Sequence, residues 1–129
     1  MAEMKILCDT NILIEYYKNN ADVLKHLKTI GAANIAVSVI TKAELFYGAR
    51  NKQELQMLER HLSFCHCYQI DTQISELFTQ LMKTYSLSHR ATIADMLIAA
   101  TAVVHAVPLY TLNVKDFRFI PNIQLYSLT

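Results

Sequence analysis

Glycine and proline are scarce, with two of each in 129 residues. That excludes long flexible linkers and turn-rich β architectures, which rely on both. Cysteine is no commoner. Cys8, Cys65 and Cys67 form an odd set without framework spacing, as expected of reduced thiols in a cytoplasmic protein. Cys65-His66-Cys67 makes a poor zinc site, because strand positions i and i+2 offer no second ligand pair to complete a tetrahedron. Charged residues make up only 18% of the chain, and the net charge is +1. Even the least charged stretch, from Met96 to Val114, holds His105, Pro108 and Asn113, and fits a buried helix and strand better than a membrane span. The start of the chain carries Glu3 and Lys5 before a short apolar run, so no targeting segment is expected.

What is present is apolar: 53% of residues are hydrophobic, enough for a sizeable core and too many for a disordered chain. Length, and the absence of repeats or linkers, predict a single domain over 1–129. Short apolar runs alternate with helical periodicity. Met4–Cys8, Ile35–Val39, Cys65–Ile70, Pro108–Leu112 and Ile123–Leu128 are strand candidates. Helical spacing runs through Ile12, Leu13, Tyr16 and Tyr17, and then through Val23, Leu24, Leu27 and Ile30 up to Gly31. Further helices are expected over Lys42–Leu62, broken near Gly48, from Asp71 through Met82, and over Thr92–Ala106. Strands that are apolar throughout are buried on both faces, which points to an α/β fold with a parallel sheet between helices.

Such sheets bind ligands beyond the carboxyl ends of their strands. Asp9 follows the first strand candidate, Glu44 the second and Asp116 the fourth, while Asp95 opens the helix that feeds the fourth. Each acid has a structural reading of its own. Asp9 suits a helix cap, Thr41-x-x-Glu44 and Thr92-x-x-Asp95 match capping boxes, and Asn113-x-x-Asp116 suits a turn or cap. Together they imply more. Carboxylates crowded beside a core are costly, and a divalent cation relieves both burial and mutual repulsion. Hard oxygen ligands without Cys or His favour Mg²⁺ or Mn²⁺. Removing these four from the 11 acids leaves 7 against 12 Lys and Arg, a remaining surface of about +5 that permits an RNA partner.

Four blocks then carry a resemblance: Asp9-Thr10-Asn11, Ser38-Val-Ile-Thr-Lys-Ala-Glu44-Leu-Phe-Tyr-Gly48, Asp95-Met-Leu-Ile-Ala-Ala100 and Thr111-Leu-Asn113-Val-Lys-Asp116-Phe117. Their order and intervals resemble PIN-domain nucleases, and most closely the VapC-type toxins of bacterial toxin–antitoxin pairs, over essentially the whole chain. The resemblance implies a five-stranded parallel sheet flanked by helices and a Mg²⁺- or Mn²⁺-dependent endoribonuclease acting on RNA of the tRNA or rRNA class. It also implies a homodimer and a cognate antitoxin that blocks the site. Asp9, Glu44, Asp95 and Asp116 carry over as the acidic cluster, and Thr111 and Asn113 resemble the polar residues that support it. Family members often have Gly in the loop before the third acid, where this chain has Ser88-His89-Arg90-Ala91-Thr92.

On this reading Asp9 and Asp95 hold the metal, Glu44 and Asp116 position water or a second ion, and Thr10, Asn11 and Thr111 orient the carboxylates. Arg90 and Lys115 are candidate phosphate contacts because each lies near a proposed ligand. Phe46, Tyr47, Leu55 and Leu58 are spaced to form an apolar face, either core or a groove for an antitoxin helix. A haloacid-dehalogenase-type phosphatase needs an Asp where Asn11 stands. The remaining alternatives are another metal-dependent phosphohydrolase and a PIN-like scaffold that binds RNA or protein without cutting.

Overall fold

The computed structural model describes residues 4–126. β1 (Ile6–Cys8) leads into α1 (Thr10–Tyr17) and α2 (Ala21–Ile30), and α2 stops where Gly31 takes φ 91°. β2 (Ile35–Ser38), α3 (Val39–Tyr47), α4 (Lys52–Leu62) and β3 (His66–Tyr68) follow, then α5 (Thr72–Tyr85), α6 (Ile93–His105) and β4 (Leu109–Tyr110). The strands form one parallel sheet in the order β3-β2-β1-β4. β1 is central, and the chain moves outward from it first to β2 and later to β4. The crevice between β1 and β4 is therefore the topological switch point where open α/β sheets bind ligands.

Side chains alternate across the sheet, yet both faces are apolar. Leu7, Ala36 and Leu109 pack with Ile74, Leu81, Met96 and Ala99 of α5 and α6. Ile6, Cys8 and Tyr110 pack on the other face with Ile12, Val23 and Leu27, and Val37 packs there with Leu13, Leu45, Leu58 and Leu62. This double burial removes the period-2 hydropathy signal from the strands, as the continuous apolar runs implied. α6 reaches the sheet closely through Ala99, Ala100 and Ala102, all buried.

Three expectations need correction. The fifth strand is reduced, among the described residues, to a parallel bridge from Leu125 to Leu109, and Ser127 and Leu128 lie outside those residues. The helix before Gly48 begins at Val39 and not at Lys42: Ser38 is its cap, accepting from the Thr41 N–H at 3.2 Å. Thr41 is thus not the cap of a Thr41-x-x-Glu44 box but a buried residue of the first turn. Val39 stood in the strand candidate Ile35–Val39, and Val39, Ile40 and Thr41 are β-branched with modest helix propensity, but a good cap at Ser38 outweighs that. Of the two structural readings of Asn113-x-x-Asp116 the turn holds: Val114–Asp116 is a short 3₁₀ turn closed by the Asp116 N–H donating to the Asn113 carbonyl at 2.9 Å, without a side-chain cap from Asn113. Among the described residues no helix is long and apolar enough to cross a membrane.

Candidate active site

Asp9 is the first residue past β1 and caps α1. Its N–H still donates to the Tyr110 carbonyl at 2.9 Å, so the β1–β4 ladder fixes its backbone. Oδ1 accepts from the Thr10 N–H at 2.7 Å, and Oδ2 accepts from the Thr111 hydroxyl at 2.8 Å. Thr111 Oγ1 in turn accepts from the Asn113 N–H at 3.0 Å, and Asn11 Oδ1 accepts from the Leu112 N–H at 3.4 Å. Capping and site-building are thus the same act here. The bonds that begin α1 also aim a carboxylate only 5% exposed toward the crevice.

Glu44 reaches the same edge from α3. The Thr10 hydroxyl donates to Glu44 Oε1 at 2.7 Å and lies 3.0 Å from the Thr41 hydroxyl, which lies 3.4 Å from that of Ser38. A hydroxyl has one proton and a carboxylate only accepts, so Thr10 donates to Glu44 and Thr41 donates to Thr10. The result is a buried, one-directional row of hydroxyls running from β2 to Glu44. Ser38 and Thr41 escaped the sequence reading as site residues, although both stand in the block that carries Glu44.

Asp95 sits in the first turn of α6, where the Thr92 hydroxyl accepts from its N–H at 3.1 Å. Asp116 closes the 3₁₀ turn after β4. Burial is the main reason the Asp95 carboxyl is pushed up to about 6; repulsion from Asp9, Asp116 and Glu44 adds to this, and the Thr92 side chain opposes it. Asp9 is also raised, first by burial and then by Glu44 and Asp116, against the bonds from Thr111 and Thr10. The four acids therefore share one electrostatic neighbourhood, as the strand topology requires.

Among the described residues no cationic side chain forms an ion pair with any of the four acids. The ion pairs among the described residues are Glu15–Lys18 and Arg50–Glu54, and neither includes one of the four acids. Arg90 and Lys115 line the same small cleft as Asp95 and Asp116 without pairing to either. Among the described residues no group of three or more His, Cys, Asp or Glu side chains is placed to hold a metal ion by itself. The all-oxygen, uncompensated donor set nonetheless fits Mg²⁺ or Mn²⁺, which takes one or two carboxylates and completes its shell with water and phosphate.

The apolar face expected on α3 and α4 divides. Leu58 is buried and Phe46 packs against it. Tyr47 and Leu55 are exposed, and Met57 joins Ile14, Tyr17 and Leu58 along a groove between α1, α3 and α4.

Residues 6–120 match the family model described as PIN domain. The chain is 34% identical over 120 residues to "Ribonuclease VapC1" of Methanocaldococcus jannaschii, covering 90% of this chain and 81% of that one. It is 33% identical over 121 residues to "Ribonuclease VapC19" of Mycobacterium tuberculosis, covering 92% and 96%. A solved structure titled "Toxin-antitoxin complex from Klebsiella pneumoniae" superposes with a TM-score of 0.79 at 31% identity, covering 96% of this chain and 100% of that one.

Proposed function

Because the chain belongs to the PIN-domain family, we propose that it is a metal-dependent endoribonuclease and the toxin of a toxin–antitoxin pair. The single observation that carries this reading is the carboxylate set itself. Asp9 is buried and held at both oxygens, Asp95 is raised by burial and then by its neighbours, and among the described residues no basic side chain pairs with any of the four. A structural cluster would lose stability for nothing by keeping such repulsion, whereas a site for a cation and a phosphodiester requires it.

Mg²⁺ or Mn²⁺, held by Asp9 and Asp95, would supply positive charge to the phosphate and make a water easier to deprotonate. The remaining work falls to the chain. Thr10 N–H and the Thr111 hydroxyl fix the two Asp9 oxygens, leaving one orientation for the carboxylate. Thr10 occupies Glu44 Oε1, so Glu44 Oε2 remains to take a proton from the attacking water. Water oxygen bonds to phosphorus as the ester bond to the departing ribose oxygen breaks, in line on the opposite side. Asp116, across the crevice from Glu44, helps position that water. Arg90 and Lys115 hold phosphates of the same strand. RNA of the tRNA or rRNA class is the substrate, and the chain acts as a homodimer. The groove between α1, α3 and α4 receives an apolar helix of the cognate antitoxin.

The direct test is cleavage of a mixed tRNA and rRNA pool by the antitoxin-free protein with Mg²⁺ or Mn²⁺, beside EDTA and Asp95→Asn controls. Discrete cuts that vanish in both controls support the nuclease. Absence of cutting by folded, metal-loaded protein points to a scaffold that binds without cleaving.

A further inference from the structure

The loop between α5 and α6 carries a fixed aromatic surface at the mouth of the acidic cleft. The His89 ring lies face to face on Phe119, with centroids 4.1 Å apart and planes 23° apart. Tyr85 meets both rings edge-on, at 5.3 Å from His89 and 4.8 Å from Phe119. The Ser88 hydroxyl lies 2.8 Å from His89 Nδ1, and the His89 N–H donates to the Tyr85 carbonyl at 3.0 Å. Two neighbouring rings and two hydrogen bonds therefore hold one residue in place, yet His89 remains exposed. Phe119 covers one face of its ring.

The next residue, Arg90, has φ 51°, the left-handed region that non-glycine residues seldom occupy. That strain persists in a loop pinned by the Ala91 N–H donating to the Tyr85 carbonyl at 3.3 Å. His89, Phe119, Arg90 and Lys115 line one cleft with Asp95 and Asp116. Two cations, an exposed planar ring and two of the four carboxylates thus line one cleft.

The geometry points to a binding site for one unpaired nucleotide beside the scissile phosphate, its base stacked on the exposed ring of His89 and its phosphate held by Arg90 and Lys115. Unpaired bases offer a free π-face, whereas a duplex hides its bases within the stack. This inference rests on the nuclease reading above and deepens it by naming the residue that positions a base beside the reacting phosphate. His89 is a positioning residue and takes no part in the chemistry.

The test uses the full chain carrying Asp95→Asn, so that RNA is not cut, and an RNA hairpin with 2-aminopurine in its loop. Binding should quench the 2-aminopurine fluorescence. His89→Ala should abolish the quenching and weaken binding by about tenfold, the size of one lost base–aromatic stack. His89→Phe, which preserves the loop's ring packing, should restore both. Unchanged quenching and affinity in a folded His89→Ala protein would overturn the proposal, leaving His89 a loop-packing residue. So would failure to bind the hairpin, or equal quenching with a fully paired duplex of the same length. Cleavage by the wild-type chain is measured separately, so loss of stacking and loss of nuclease activity are distinguishable.

Discussion

The hydroxyl of Thr111 donates to Asp9 Oδ2 at 2.8 Å, joining residues 102 positions apart across the crevice between β1 and β4. It is one of two bonds that orient the most buried of the four carboxylates. It also lowers the Asp9 pKa against the burial that raises it. Removing it changes both the aim and the charge of Asp9.

Thr111→Val keeps the shape and deletes the hydroxyl. The lost charge-assisted bond is worth about 1.5–3 kcal/mol, and kcat/KM should fall on the order of 10- to 100-fold with the fold intact. Without that bond the Asp9 pKa rises further, so the acid limb of the pH–rate profile should move to higher pH. An unmoved limb would show that Thr111 acts on something other than Asp9.

Asp95→Asn should abolish cleavage and stabilise the metal-free protein at pH 7. The folded-state pKa of about 6 lies above the ordinary carboxylate value, so the folded form binds the proton more tightly than the unfolded chain. Stability from this group is therefore greatest at low pH and falls as pH rises from about 4 to about 6. Discounted for a carboxyl that is only partly buried, the penalty at pH 7 is about 1 kcal/mol. Thermal melts in EDTA should rise by about 3–5 °C in the variant at pH 7, and the two melting points should converge near pH 4.

Thr10→Val interrupts the hydroxyl row that ends on Glu44. Activity should drop about tenfold or more, and the same change should cost much less in a Glu44→Gln background, because the two side chains act as a pair. Equal losses in both backgrounds would show that Thr10 serves Asp9 alone, through its N–H.

Met57→Asp alters a residue about half exposed, on the groove between α1, α3 and α4. It should weaken antitoxin binding in calorimetry by about 2 kcal/mol or more, while leaving RNA cleavage and the melting temperature near those of the parent. Undiminished affinity would move the antitoxin interface elsewhere.

Arg90→Gly removes a cation and a left-handed non-glycine residue together. The melt should rise or hold, by up to about 1 kcal/mol after the added freedom of the unfolded glycine is counted, while RNA affinity falls. A fall in both would mean that Arg90 holds the loop together and does not merely endure its conformation.

The order of strands and helices was legible because each element announces itself locally. Gly31 ends α2, Asp71 and Thr92 cap α5 and α6, and Asp9 caps α1. The start of α3 was not. Val39-Ile40-Thr41 favours strand by propensity, and only the Ser38 cap, with packing against the core, makes it helix. Among the described residues the last strand is reduced to a bridge at Leu125, because pairing depends on how the chain returns to β4 and not on its apolar run.

Residue type and position alone determined that four acids stand near strand ends and that the sheet is parallel and covered on both faces. Only the tertiary structure decided what each acid touches. Thr111 meets Asp9 across 102 residues, Thr10 meets Glu44 across 34, and His89 stacks on Phe119 from a separate loop. Hydrophobic period and capping chemistry act over a few residues and leave a readable pattern. A hydroxyl aimed at a carboxylate, or a ring laid on a ring, depends on strand order and helix packing fixed by the whole core at once.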